Sequence, residues 1–245
     1  MRKSYLSAAA LAVLAMLLST PALAQSNARE ILDKAIQKLG GAAYREVKDI
    51  EAHGRFFQFQ RGQMVGGEFY TDYLKFPDKE RTEFGKKGKT VRINNGDKGW
   101  NVQDKEVEAQ IEDQVEVFWE EFKVSLDYIL RIVVDEEETT VQFVGREMLD
   151  FKRVDILELR NEDRTRINLY IERDSGLLVK KTVRRLDDPS VHEEIYSNYH
   201  LIQDVLTPLL ITRYTDGAKT MELRMSEVIY NTGVSDLLFS ATIKN

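Results

Sequence analysis

The chain has 245 residues, 31% charged and 42% hydrophobic, with a net charge of −6 and no cysteine. The missing cysteine excludes disulfides, cysteine-bound metals and lipid attachment to a cysteine behind a leader. The acidic balance argues against nucleic-acid binding, which needs a basic domain or stripe.

Residues 1–24 read as a signal peptide. Arg2 and Lys3 form a basic start, Leu6 to Leu18 is a continuous run of apolar or small residues, and Ala22-Leu23-Ala24 is an A-x-A cleavage site. The run is short against the roughly 20 residues of a membrane span, which disfavours an anchor. Cleavage after Ala24 removes two basic residues, taking the charge of −6 to about −8. Export without disulfides fits the periplasm of a double-membraned bacterium.

The first predicted element is a helix over Asn27–Leu39. Ala28, Ile31, Leu32, Ala35, Ile36 and Leu39 share one face. Asn27 with Glu30 forms a variant capping box, and Gly40-Gly41 ends the helix. From Asp49 the apolar period becomes two, the mark of a strand with one buried face. Ile50, Ala52, Gly54 and Phe56 hold one phase, and Phe57 and Phe59 the other, which predicts a bulge near Phe56-Phe57. A loop at Arg61-Gly62-Gln63 leads into Met64–Phe76, where a phase slip between Tyr73 and Leu74 predicts another bulge. Lys79–Phe84 follows the turn at Pro77-Asp78. Asn94-Asn95-Gly96-Asp97 predicts a tight hairpin between Thr90–Ile93 and Trp100–Val102.

The sheet pattern then stops. Ile111, Val115, Phe118, Trp119, Phe122, Leu126, Ile129, Leu130 and Val133 recur at helical spacing. This predicts an amphipathic helix of about six turns, or two helices with Ser125 capping the second. The opposite face is acidic: Glu112, Asp113, Glu116, Glu120, Glu121 and Asp127. The apolar face is rich in aromatics, which suits an ordinary core helix or a cavity lid.

Strands resume at Thr139–Phe143, Val154–Leu159, Arg164–Glu172, Leu177–Arg185, His192–Leu201, Leu209–Tyr214 and Thr220–Tyr230. The clearest unit is the hairpin across Asp174-Ser175-Gly176. Ile167, Leu169 and Ile171 alternate there with Arg166, Asn168, Tyr170 and Glu172. About a dozen strands exceed the usual sheet of roughly 4 to 6, so the sheet should curl or split. Helices packed into its concave face would supply the core. No stretch reads as a linker, so residues 25–245 are expected to form a single domain, mainly β with helices.

No catalytic pattern emerges, and neither an enzyme nor a cofactor is expected. His192 and His200 are separated on one strand by roughly 26 Å, too far to share a metal. Catalysis through His53 would need a partner that the sequence does not nominate. Glu193 and Glu194, adjacent on a strand, point to opposite faces and cannot serve one glycosidase cleft. No Gly-rich phosphate loop or nucleophile elbow is present. Two charges fall in apolar phase: Glu227 with Met221, Leu223, Met225 and Ile229, and Lys181 with Leu177, Val179 and Val183. Each either reaches water at a bulge or strand end, or makes a polar contact inside a ligand cavity. The basic clusters Lys86-Lys87-Gly88-Lys89 and Lys180-Lys181 with Arg184-Arg185 read as solvated turns and strand faces, or as contacts to an acidic partner or lipid headgroup.

The order of leader, N-terminal helix, meandering sheet, inserted amphipathic helices and further sheet resembles the LolA-like periplasmic carriers of the outer-membrane lipoprotein-sorting family. Thr207-Pro208 before a strand, Val228-x-x-Asn231 leading to Ser235-Asp236-x-x-Phe239, and the Asp174-Ser175-Gly176 hairpin carry the resemblance. It implies an incomplete antiparallel barrel closed on one side by helices, with an apolar cavity for lipid or lipoprotein acyl chains. It also implies transient membrane-surface contact, an inner-membrane donor and an outer-membrane acceptor. An inner arginine that holds the helical lid is part of the pattern, and Arg55 is a candidate if the phase of Phe57 and Phe59 extends back to it. An envelope sensor or protein-interaction module of the same fold is the alternative. The expected wall is Phe56, Phe59, Phe118, Trp119, Phe122, Ile167, Leu169, Ile171, Met221, Leu223 and Met225. Phe56 and Phe59 both belong to it only if a bulge keeps them inward.

Overall fold

The computed structural model describes residues 20–85, 90–161 and 165–241. Most of the expected leader, the Lys86–Lys89 cluster and Arg164 lie outside them. Helix α1 (Thr20–Leu39) starts well before Asn27. Asn27 is therefore inside the helix and caps nothing, and Glu30 instead accepts from Lys34 at 2.7 Å. The helix stops where expected, at Gly40 and Gly41, whose φ values of 132° and 57° suit glycine. A single turn, α2 (Ala42–Arg45), follows.

Six strands come next: β1 (Asp49–Gln60), β2 (Gln63–Lys75), β3 (Lys79–Phe84), β4 (Thr90–Asn95), β5 (Lys98–Gln103) and β6 (Glu106–Ala109). The inserted segment is two helices, α3 (Glu112–Lys123) and α4 (Leu126–Arg131), then a 3-10 turn (Val133–Asp135). Ser125 Oγ accepts from the Tyr128 N–H at 3.3 Å, the cap its position suggested. Seven strands complete the sheet: β7 (Thr140–Leu149), β8 (Lys152–Arg160), β9 (Arg166–Glu172), β10 (Leu178–Arg184), β11 (His192–Ile202), β12 (Val205–Thr215) and β13 (Ala218–Tyr230).

All thirteen strands form one antiparallel sheet, ordered β6-β5-β4-β3-β2-β1-β13-β12-β11-β10-β9-β8-β7. The sheet curls without closing. Its two edges, β6 and β7, are consecutive in the chain, so the inserted helices carry the chain from one edge to the other. The first and last strands pair in the middle, as a seam between β1 and β13.

The inner face carries the main core. Ala28, Leu32, Ala35, Ile36 and Leu39 of α1 pack there with Leu157, Leu159, Ile167, Leu169 and Ile171, joined by Ile129, Leu130 and Val134 of the insert. A second core lies on the outer face. Val91, Ile93 and Val102 are covered there by Val234 and Phe239, and Tyr73 and Trp100 pack against them. The Ser235-Asp236-x-x-Phe239 motif makes this cover: Ser235 Oγ accepts from the Leu237 N–H at 3.3 Å, and Asp236 pairs with Lys75 and Lys79 at 3.0 and 2.8 Å.

Neither predicted bulge falls at Phe56-Phe57 or Tyr73-Leu74; the β1–β2 ladder shifts instead between Gln58 and Phe59. The β1–β2 register runs unbroken from Asp49↔Lys75 to Gln58↔Gly66. Both faces of this region carry apolar groups, which mimics a phase change. Tyr73 faces the outer core and Leu74 the inner one. Arg55 likewise stands outside, exposed, 5.1 and 4.9 Å from the ring centres of Phe57 and Phe69, so it cannot hold a lid on the inner face. A further irregularity falls at the seam. The seam shifts between His53 and Gly54, leaving Ser226 as an extra residue between Glu227 and Met225. That shift turns Glu227 outward, where it is exposed.

Candidate functional site

Helix α3 lies over the inner face of the first half of the sheet, with a groove beneath it. A cavity of about 620 Å³ there is lined by Phe118, Phe122 and Val117 of the helix, by Leu74 and Met221 of the sheet, and by Glu80, Arg92 and Arg213. A second hollow of about 460 Å³ shares Glu121, Arg213 and Met221 with it and extends toward Lys181, Val183 and Glu194. These volumes fall in the roughly 300–1,000 Å³ range of small-molecule sites.

The α3 aromatics form the roof. Phe118 and Phe122 stack at 5.2 Å, Trp119 meets Phe122 edge-on at 5.7 Å, and Phe122 contacts Phe76 and Tyr128. Trp119 turns away from the groove, and its Nε1 donates to the Gly96 carbonyl at 2.9 Å. Its own setting is a neighbouring cleft with Trp100 and Val115.

Two basic side chains fasten the C-terminal end of α3. Lys181 Nζ donates to the Val124 carbonyl. Arg185 Nη2 donates to the Glu120 carbonyl at 2.9 Å and to Glu121 Oε1 at 3.1 Å. Cations suit a helix C-terminus, where carbonyls lack partners and the dipole is negative. Lys181 is thus the inward charge that its phase foretold, 2% exposed. It pairs with Glu194 at 2.9 Å, and Arg213 meets the same carboxylate at 2.8 Å. Burial pushes the Lys181 ammonium below its ordinary value, and Glu194 counters the push. Burial also resists ionisation of Glu194, but Lys181 and Arg213 outweigh it and hold the carboxyl at about 2.

The far end of the insert is tied differently. Arg29 Nη1 donates to the Val134 carbonyl at 2.6 Å and Nη2 to Asp135 at 2.8 Å, and Arg45 joins Asp135. Arg131 lies buried on α4, paired with Asp127, its guanidinium 3.7 Å from the centre of the Tyr44 ring. Two of its nitrogens, Nε and Nη2, lack hydrogen-bond partners. Arginines therefore do tie down the insert: Arg29, Arg45 and Arg185 from outside it and Arg131 from within.

The floor is ionic as well as apolar. On the first half Asp72, Glu80 and Arg92 face inward on neighbouring strands. Asp72 accepts from Thr82 Oγ1 at 2.9 Å. Burial raises the carboxyl pKa of both Asp72 and Glu80; Glu80 raises Asp72 further, and Arg92 pulls both back. On the second half stand Arg213, Glu194 and Lys181. The sequence held a signal for these: Asp72 is in phase with Tyr70 and Leu74, and Arg213 with Leu209 and Ile211.

The expected wall residues divide. Phe118, Phe122 and Met221 line the groove. Phe56 is paired with Leu223 across the seam and meets Phe84 edge-on at 5.6 Å, and Met225 packs against the main core. Ile167, Leu169 and Ile171 lie under α1 in the solid core, at most 3% exposed. Phe59 follows a shift of the β1–β2 ladder between Gln58 and Phe59; it lines the second hollow, and its ring lies under the Lys219 ammonium at 4.2 Å.

The histidines stand apart. His53 joins Glu51 and Thr71 at 3.0 Å each on the outer face, His192 joins Asp188 at 2.8 Å, and His200 joins Asn198 at 3.1 Å. Among the described residues no group of three His, Cys, Asp or Glu could hold a metal. No described helix is long and apolar enough to cross a membrane.

A curled, unclosed antiparallel sheet with an inserted helical roof is the LolA-like fold, and solved structures of that kind superpose on this chain. A DUF1329 family protein from Desulfovibrio piger gives a TM-score of 0.64 at 16% identity over 87% of this chain and 97% of its own. An outer membrane lipoprotein-sorting protein domain from Vibrio parahaemolyticus gives 0.59 at 14%, over 86% and 97%. A LolA superfamily protein from Nitrosomonas europaea gives 0.56 at 13%, over 87% and 97%. No family model matches the sequence, and no curated protein does.

Proposed function

We propose that this chain is a single-domain, exported carrier that holds lipid or lipoprotein acyl chains in the groove under α3 and passes them toward an outer membrane. One observation carries the reading: a cavity of about 620 Å³ roofed by Phe118 and Phe122 on an insert that bridges two open sheet edges. Apolar burial at about 25 cal/mol per Å² would retain an acyl chain without specific polar contacts. The roof is fastened at the end near Lys181 and Arg185, so its release is a matter of a few polar contacts. The leader, with cleavage after Ala24, would deliver the chain to the periplasm. Solved proteins of the same fold include one described as a lipoprotein-sorting domain, which supports a binding role over catalysis. Transient membrane contact, an inner-membrane donor and an outer-membrane acceptor belong to the same proposal.

The test is native mass spectrometry of the protein after incubation with membrane vesicles. Co-migrating lipid or acylated peptide, reduced in Leu223→Trp, is expected. A stable protein partner with no bound lipid would favour an interaction module of the same fold.

A further inference from the structure

We propose that the groove under α3 seats an amphiphile with an anionic headgroup, with Arg213 as the headgroup's main partner and Arg92 as the second. The inference rests on reading the groove as a lipid site, and it narrows the class of lipid.

A site meant only for acyl chains gains nothing from charge on its floor: Arg92 is exposed and Arg213 half-buried, and hydrocarbon laid over them would strip their water at a cost. This groove nevertheless has ions on both halves of its floor. The charges do not cancel evenly. Glu194 is already committed: Lys181 and Arg213 flank it, and the Tyr196 hydroxyl donates to it at 2.5 Å. Two cations thus share one carboxylate. Glu121, at the rim, pairs with Arg185. Glu194 is the only ion-pair partner of Arg213 among the described residues, and it is met through Nε. Among the described residues Nη1 and Nη2, the forked donors that match a phosphate or carboxylate, make no hydrogen bond.

Arg92 repeats the arrangement on the first half. It makes no ion pair within 4.0 Å among the described residues and lines the same cavity as Arg213. Glu80 lies close enough to feel both guanidiniums. Asp72 and Glu80 repel one another, which disfavours two full negative charges beside Arg92. An incoming anion therefore finds two guanidiniums, Arg92 and Arg213, on the floor, while Asp113 and Glu121 stand on the helix side of the same groove. Phe118, Phe122, Leu74 and Met221 offer an apolar surface beside it for the hydrocarbon chain. Neutral lipid would leave the Arg213 fork unmatched.

The experiment titrates delipidated protein with lauroyl lysophosphatidylglycerol, with lauroyl glycerol of the same chain length but no charge, and with inorganic phosphate. The anionic lipid should bind about tenfold more tightly than the neutral one, a difference of about 1.4 kcal/mol. Arg213→Gln and Arg92→Gln should each shrink that preference while leaving lauroyl glycerol binding as it was. Arg92→Gln breaks no ion pair and serves if Arg213→Gln fails to fold. Equal affinities for both lipids, unmoved by either substitution, overturn the headgroup assignment and leave the lipid reading intact. Binding of neither lipid overturns both. Inorganic phosphate competing as well as the lysolipid would make this a free-anion site and not an amphiphile site.

Discussion

Lys181 and Glu194 show how a buried pair can tie a helix to a sheet. Lys181 reaches the Val124 carbonyl at the end of α3 while it faces Glu194. Replacing Lys181 by Met keeps the aliphatic stem but leaves both the carbonyl and part of the carboxylate unmatched. The expected result is faster amide exchange in α3 than in α1, read by hydrogen–deuterium mass spectrometry. Equal exchange in the variant and the native protein would remove Lys181 from the fastening. The pH dependence follows from Glu194. Its folded pKa, about 2, lies below the ordinary 4.5. A depressed carboxyl adds stability that is complete above the ordinary value and lost as pH falls through the folded one. Thermal melts should therefore show a loss between about pH 4.5 and 2 that Glu194→Gln lessens. Parallel melting curves for the two proteins would contradict the assignment.

The two outcomes for inward charges are instructive at this scale. Lys181 faces inward with Val183 because Leu169 stands opposite it, although a ladder shift between Leu178 and Lys180 breaks its phase with Leu177 and Val179. Glu227 lost its phase because Ser226 is extra in the seam. No side-chain pattern marks Ser226 as the bulge; the partner strand decides it. Phe59 was unreadable for a related reason. The β1–β2 ladder shifts just before it, and aromatic residues occupy both faces of β1, so alternation stops discriminating.

At the scale of elements, the insert combines a fixed part and a roof. Arg29, Arg45 and Arg131 tie its second half to α1 and α2, whereas α3 rests on its aromatics, Trp119 and its fastened end. The groove and the core also answer differently to substitution. Leu169 is 0% exposed under α1, and Leu169→Ala should cost about 2 to 5 kcal/mol. Leu223 lies half-buried between Phe56 and Ile211 on the inner face. A Trp there should cost less than the roughly 1 to 3 kcal/mol of an overpacked core and should still exclude lipid. A large loss of stability in lipid-free Leu223→Trp would show that the position is solid. The helices and hairpins were legible because each carries its own punctuation, such as Ser125 before α4 or Asn95-Gly96 between β4 and β5. Strand β6 was not, since Glu106 to Ala109 are all exposed and show no alternation.

At the scale of the molecule, the seam between β1 and β13 joins the two halves of the sheet. Gly54 sits at its irregular point. A Cβ there would stand 2.3 Å from the Arg224 carbonyl oxygen and 3.0 Å from the Met225 Cα. Backbone cannot move aside as a side-chain tip does, so Gly54→Ala should destabilise the whole fold, by about 1 to 3 kcal/mol. A denaturant melt measures it, and an unchanged midpoint would show that the seam tolerates a methyl group. The fold class was legible because a strand count near a dozen leaves few architectures. The pairing of first strand with last was not, because no local pattern records it.

That pairing also sets an order of events. Strand β1 leaves the ribosome long before its partner β13, with eleven strands made between them. Contacts so distant along the chain are slow to close. Until β13 has been made, one flank of β1 has nothing to bond. If the chain is exported as proposed, it would meet the translocation pore before its halves could join, and the seam would be a property acquired on the far side.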